Sequence, residues 1–270
     1  MKKSAIITGS GFISKHLQER FKKDNIEFLV IRHEEFWDYD SLEKKIIAYN
    51  PMLIFHTSAF GNLVTQQDEN EIIQANVIHL FLLLQATKTI PYKAFINFSS
   101  SSTLQPYETL YSATKGSGER ICKAFATKYE KNIITVLPYT VVGVGEAKEH
   151  LIPTLIRSCL TGEKMNFIGT PVHDFISVND FIDALKLIVN HYHLKGNVEI
   201  GSGISTSNEE VLKLVEEVTG KKANITRVSS MRSYDNNSWK ANTAIISSLG
   251  WVQKENLKKV IEDMVDEYDK

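Results

Sequence analysis

Short apolar runs alternate with amphipathic stretches along the first half of the chain. Near-continuous apolar segments at 4–8, 27–32, 52–57, 94–98 and 133–138 predict strands. Between them, apolar residues recur at helical spacing and predict helices over 12–24, 42–49, 71–89 and 112–130. Strands that are apolar throughout, rather than alternating, suit a parallel sheet buried on both faces by helices.

The rhythm changes after Pro138. A glycine-bearing turn at 142–145 leads to a helix near 152–160 and a short strand at 165–168. The segment HDFISV, a helix over 180–191, a strand at 198–200, and helices over 208–219 and 255–268 follow. The pattern predicts a doubly wound α/β sheet domain over 1–140 and a smaller lobe, mainly substrate-binding, over 141–270. The 180–191 helix is expected to pack back on the first domain.

Composition narrows the picture. The 31 Lys and Arg nearly balance the 32 Asp and Glu, so no global field draws nucleic acid or an anionic membrane, and any anion must be held locally. Two distant cysteines, Cys122 and Cys159, argue against a disulfide framework or a zinc cluster. No run approaches the roughly 20 apolar residues of a membrane span, and the apolar stretch at the start breaks at Gly9, too short for a secretion signal. A metal-free cytoplasmic protein is expected.

The first chemical signal is Thr8-Gly9-Ser10-Gly11-Phe12-Ile13-Ser14, joining the first strand to the first helix. Gly9 permits a tight turn, Gly11 lets backbone approach a pyrophosphate, and the helix start offers free N–H groups to it. The third small position is Ser14 instead of glycine, so helix–strand packing must tolerate a hydroxyl. About twenty residues on, the second strand ends at Arg32, a residue suited to a ribose 2′-phosphate, which favours NADP(H) over NAD(H) as cofactor. Glu34 and Glu35 stand close enough to supply the acid of an NAD site after a two-residue slip.

The second signal is FINFSSSSTLQPYETLYSATK, from Phe95 to Lys115. Tyr111 and Lys115 are four apart and share a helix face. A tyrosine ionises near pH ~10, and an adjacent ammonium is expected to lower that value. Such a phenol passes a proton to or from a sugar oxygen while a hydride moves at the same carbon. A strand-end serine hydroxyl can steady the same oxygen.

These segments together resemble the extended short-chain dehydrogenase/reductase family, in particular its nucleotide-sugar epimerases, dehydratases and 4-ketoreductases. ITGSGFISKHL resembles the opening TGxxGFIGxxL, with one residue fewer in the turn, and IFHTSAFGN resembles the fourth-strand HxAA segment. The resemblance implies a cofactor site of Gly9, Ser10, Gly11, Phe12, Ile13, Arg32, Ser58, Ala59, Asn76, Ser99, Tyr111, Lys115 and Pro138. FSSSST resembles the strand carrying the catalytic hydroxyl, which implies Ser101, with Ser100 or Thr103 in that role if the register slips. VLPYTVVGVG resembles LRPxNVYGPG, HDFISVND resembles RDFIxVxD, and MRSYD resembles an RPxD element. They imply Thr103, Thr140, His173 and Arg232 at a nucleotide-sugar substrate, His173 standing where the family often has arginine.

Among the family's reactions, dehydration needs an Asp–Glu pair after the catalytic hydroxyl, and Ser102 and Thr103 occupy those positions. Reduction of a nucleotide 4-keto-6-deoxyhexose needs only Ser101, Tyr111 and Lys115 and is the expected activity. A 4-epimerase with bound NAD, and a redox sensor that keeps the fold and the cofactor but has lost the chemistry, are the alternatives. The helix over 71–89 carries more apolar surface than one sheet-facing stripe needs, and a homodimer through it and the YxxxK helix is expected.

Overall fold

The structure is a computed structural model that describes residues 4–229 and 239–268. The chain divides into two compact units. One comprises the residues up to Pro138 together with Leu185–Val198, and the other comprises Tyr139–Ala184 and the residues from Glu199 on.

The first unit is built on the Rossmann-type doubly wound sheet. Strands β1 (Ser4–Thr8), β2 (Glu27–Ile31), β3 (Leu53–His56), β4 (Ala94–Phe98), β5 (Ile133–Pro138) and β9 (Gly196–Ile200) lie in the order β2-β1-β3-β4-β5-β9. The pairs β1–β2, β1–β3, β3–β4 and β4–β5 are parallel. Helices α1 (Phe12–Lys23), α2 (Tyr39–Tyr49), α4 (His79–Thr87) and α5 (Leu110–Tyr129) connect them. The HxAA-like segment begins in β3, the third strand, where the apolar run at 52–57 predicted one. Only a 3₁₀ turn, His33–Trp37, separates β2 from α2, which leaves no length for a further strand, so β2 forms the sheet edge.

Burial explains the apolar strands. Ile6, Ile31, Ile54 and Phe95 pack with Leu42 and Ile46 of α2 and with Leu80, Leu83 and Leu84 of α4 in one core. Phe21 of α1 meets Phe55 edge-on, with ring centroids 5.3 Å apart. The long helix predicted over 71–89 is present but interrupted: α3 (Glu69–Ile73) passes through a π turn, Gln74–Ile78, into α4. Asp68 caps its start by accepting from the N–H groups of Asn70 and Glu71.

A row of polar residues crosses this apolar sheet. Thr8, His56, Asn97 and Thr135 are register partners on β1, β3, β4 and β5, and all are buried. Thr8, His56 and Asn97 sit at or next to the carboxyl ends of their strands, the edge at which doubly wound sheets bind their ligands.

The second unit carries β6 (Thr140–Val142), α6 (Leu151–Thr161), β7 (Met165–Phe167), β8 (Val172–Ser177), the first half of α7 (Val178–Asn190), β10 (Ser205–Ser207), α8 (Asn208–Thr219), β11 (Ile225–Arg227), α9 (Ala244–Ser248) and α10 (Leu257–Tyr268). The strands form a β10-β8-β6 sheet and a β11-β7 pair, neither of which was predicted in full. Leu155 and Ile156 of α6, Val211 and Val215 of α8 and Ile261 of α10 form its core. Asp174 of β8 is fully buried and organises the chain around it. Its carboxylate accepts from Ser202 N (2.6 Å), Ser202 Oγ (2.8 Å), Gly203 N (2.8 Å) and Ala241 N (2.9 Å).

Candidate active site

The turn after β1 has a built shape. Gly9 holds φ at +82°, a left-handed conformation that disfavours side chains, and a Cβ there would lie 3.0 Å from Ser58 Oγ and 3.3 Å from Ser58 Cα. Its N–H donates to Ile31 O at 2.9 Å, tying the turn to the end of β2. Ser14 accommodates its hydroxyl by donating to Gly9 O at 2.8 Å, so the serine closes the turn from beneath. Gly11 differs from Gly9: its φ is −73°, and a Cβ there would meet open space. It precedes α1, whose start no side chain among the described residues caps. The first-turn N–H groups beside exposed Ser10 and Gly11, with half-buried Phe12 and Ile13 behind them, therefore suit a pyrophosphate.

At the end of β2, Arg32 is exposed and its N–H donates to Glu35 Oε1 at 2.9 Å. The other carboxylate oxygen of Glu35 pairs with Lys45. Burial raises the Glu35 pKa, but the bonds from Lys45 and from the backbone of Arg32 outweigh it and hold the carboxyl below its usual value. Glu35 is thus engaged within the protein, and Arg32 is the cation at this strand end.

The loop after β3 is fixed from two sides. Ser58 N donates to Thr8 Oγ1 at 3.3 Å, and Thr8 Oγ1 lies 3.0 Å from His56 Nδ1. Ala59 is exposed next to it. Asn76, in the π turn, donates to Phe60 O (2.9 Å) and Thr114 Oγ1 (3.0 Å) and accepts from Phe60 N (3.0 Å). Both its amide hydrogens and its oxygen are engaged, so Asn76 holds the loop against α5.

The hydroxyl segment leaves β4 at buried Ser99, whose Oγ donates to Glu119 of α5. Ser101 is buried and opens a 3₁₀ turn, Ser101–Leu104. Ser100 accepts from Ser102 N (3.1 Å) and Ser102 Oγ (2.9 Å), and Thr103 Oγ1 donates to Ser100 O (2.9 Å). Thr109 and Ser112 form a reciprocal cap at the start of α5, which sets the helix so that Tyr111 meets the Ser100 hydroxyl. The structure thus brings Tyr111 to Ser100, one of the two fallback hydroxyls, while Ser101 lies next in the turn.

Lys115 is buried one turn after Tyr111. Burial pushes its ammonium down to about 8, with Cys122 and Glu119 acting the other way. Tyr111 departs from expectation: burial pushes the phenol up to about 12, and the hydrogen bond from Ser100 only partly offsets this. Removing water costs the phenolate more than its surroundings return. At neutral pH the pair is a phenol beside an ammonium.

Pro138 ends β5. Thr140 and His173 belong to the second unit, where His173 packs against Trp239 with ring centroids 5.3 Å apart. Arg232 lies outside the described residues. Sequence reasoning missed Glu119, although its position four residues after Lys115 places it on the same helix face, and the clamping role of Asn76, for which the sequence holds no signal. No helix among the described residues is long and apolar enough to cross a membrane, and none of their side chains form a metal-holding group of three or more His, Cys, Asp or Glu.

Residues 5–201 match the sequence model of the family described as NAD dependent epimerase/dehydratase. The chain is 26% identical to GDP-L-fucose synthase 1 of Arabidopsis thaliana over 73% of this chain and 68% of that protein. It spans only about half to two thirds of the length of several other plant and bacterial relatives of that kind. It is 23% identical to CDP-abequose synthase of Salmonella typhimurium over 98% of both chains. Its fold superimposes on UDP-glucose 4-epimerase of Thermus thermophilus, solved with NAD, at a TM-score of 0.88 and 19% identity, covering 98% of this chain and 99% of that one.

Proposed function

The chain belongs to the NAD dependent epimerase/dehydratase family, and from that premise we propose that it reduces the 4-keto group of a nucleotide-activated 4-keto-6-deoxyhexose. The observation that carries this reading is the cluster of Tyr111, Lys115 and the Ser100–Ser101 hydroxyls beside a turn shaped for a dinucleotide. The cofactor, when bound, supplies the hydride. Tyr111 stays protonated in the neutral range and gives its proton to the ketone oxygen as the carbon accepts the hydride and the carbonyl π bond breaks. Lys115 stabilises the phenolate that remains, and the serine hydroxyls donate to the developing alkoxide. Ser102 and Thr103 lack the acid–base capacity that loss of water would require. The overall likeness to CDP-abequose synthase, over nearly the whole of both chains, supports a compact sugar-nucleotide enzyme. On the substrate side, Thr140 and His173 are proposed contacts.

Arg32 supports NADP(H): its guanidinium is exposed at the end of β2, where it can meet a 2′-phosphate, while Glu35 is held by Lys45. A homodimer through α3–α4 and α5 is proposed from exposed Ile73, Ile78, Phe81 and Leu110; sedimentation showing monomer only at micromolar concentration removes it.

The test is incubation with NADPH or NADH and a panel of CDP-, dTDP-, GDP- and UDP-linked 4-keto-6-deoxysugars, following loss of reduced-nicotinamide absorbance. No consumption with any of them overturns the reductase reading, and interconversion of C4 epimers without net consumption of cofactor replaces it with epimerisation. Tyr111→Phe should lower turnover at least about 100-fold while leaving cofactor affinity unchanged. Cofactor binding without turnover on any substrate would leave a sensor.

A further inference from the structure

Lys115 is a buried cation, and a buried cation requires compensation. The groups facing it can be taken element by element. On α5 itself stand Tyr111, a neutral phenol, Glu119 one turn on, and Cys122 two turns on. On β3 stands His56, fully buried and held well below its usual pKa by burial, with Lys115 and His79 adding to the shift. Burial also pushes the Cys122 thiol up to about 12, so it is uncharged when Lys115 titrates. His56, Cys122 and Tyr111 therefore carry no charge that could balance the ammonium. Glu119 is the carboxylate among these neighbours.

Glu119 is also fixed in place. One of its oxygens accepts from Ser99 Oγ at the end of β4, and the other accepts from Asn197 Nδ2 of β9 at 2.6 Å. The spacing of four along α5 places it on the face that carries Lys115.

We propose that Glu119 is a positioning residue whose carboxylate, tied to Ser99 and Asn197, supplies the counter-charge for the buried ammonium of Lys115. It keeps Lys115 charged through the neutral range and, through Ser99, couples that charge to the strand end that delivers the Ser100 and Ser101 hydroxyls. The importance of this arrangement to catalysis rests on the reading of Lys115 as part of the reactive site. The electrostatic claim is measurable without any substrate, so its failure and the failure of that reading are separable.

The test follows the 13Cε resonance of Lys115 against pH in the full chain labelled with 13C-lysine, the signal being assigned by its loss in Lys115→Arg. The wild-type midpoint is expected at about 8. Glu119→Gln keeps the shape but removes the charge, and should lower the midpoint by about one unit or more. Glu119→Asp should leave it near the wild-type value. An unchanged midpoint in Glu119→Gln overturns the proposal, as does a fall in Glu119→Asp equal to that in Glu119→Gln. Should Glu119→Gln not fold, Ser99→Ala with Asn197→Ala loosens the carboxylate and should move the midpoint down. No movement there is equally fatal.

Discussion

Gly9 and Gly11 stand two residues apart in the same turn, yet the structure gives them separate reasons to be glycine. At Gly9 the reason is internal: φ is +82°, and a Cβ would press on Ser58 at 3.0 and 3.3 Å. Alanine in the left-handed region costs about 1–2 kcal/mol, and forcing a methyl group against a fixed neighbour adds roughly 1–3 kcal/mol. Ser58 has little room to move, because its N–H is bonded to Thr8 and the loop beyond it is clamped by Asn76. Gly9→Ala should therefore destabilise the free protein by roughly 2–4 kcal/mol, or on the order of 5–10 °C in melting midpoint for a chain of this size. At Gly11 nothing lies within 4 Å of the added methyl group, and φ is ordinary. Loss of glycine at a helix N-cap costs only about 0.5–1 kcal/mol. The methyl group would instead occupy the space proposed for a pyrophosphate at the start of α1, and on that reading affinity for NADPH should fall at least about tenfold, equivalent to ~1.4 kcal/mol. The assay is a melt of each variant without ligand and along an NADPH titration. If Gly11→Ala destabilises the free protein as much as Gly9→Ala, or binds NADPH as tightly as wild type, the assignment of the turn to cofactor binding fails.

Asn76→Ala removes three hydrogen bonds and leaves the half-buried backbone groups of Phe60 without this partner, and should cost about 1–3 kcal/mol in urea denaturation; a loss below about 0.5 kcal/mol would mean water replaces the amide. His79 is buried against Phe36, and its pKa is pushed down to about 4, by burial first and then by His33. The unfolded chain binds this proton near pH ~6.5, so the His79 contribution is fully present above that value and is lost as pH falls towards 4, by roughly 3 kcal/mol in all. His79→Leu should flatten the stability profile in this window by up to one proton, and an unchanged slope would show that the imidazole is not held neutral.

The sheet was legible because its signal is local. Apolar runs such as Ala94–Phe98 are wholly buried in the structure, and the strand limits follow from where the apolar residues stop. The chemical segments were legible for a related reason: Tyr111 and Lys115 share a helix face by spacing, and Gly9 and Gly11 stand where a strand gives way to a helix. What escaped was set by tertiary partners. The strands β6, β10 and β11 are only three residues each, and β10 and β11 are only half-buried or exposed, so hydropathy gave no warning of them. The roles of Asp174 and Asn76 depend on backbone groups 28 and 16 residues away in the chain.

The ionisation of Tyr111 shows the same limit most sharply. Spacing alone predicts that the neighbouring ammonium makes the phenol acidic, but spacing says nothing about water. Burial acts on both members of the pair and disfavours both charges, pushing the phenol up to about 12 and the ammonium down to about 8. The phenol is therefore held in the form that donates a proton. The ammonium is left within reach of neutrality, which makes a fixed carboxylate on its own helix face more consequential than the Tyr–Lys spacing by itself. In the proposed reduction, a phenol held protonated is the form that can give a proton to the carbonyl oxygen. That state comes from desolvation of residues whose identities the sequence displays but whose burial only the fold creates.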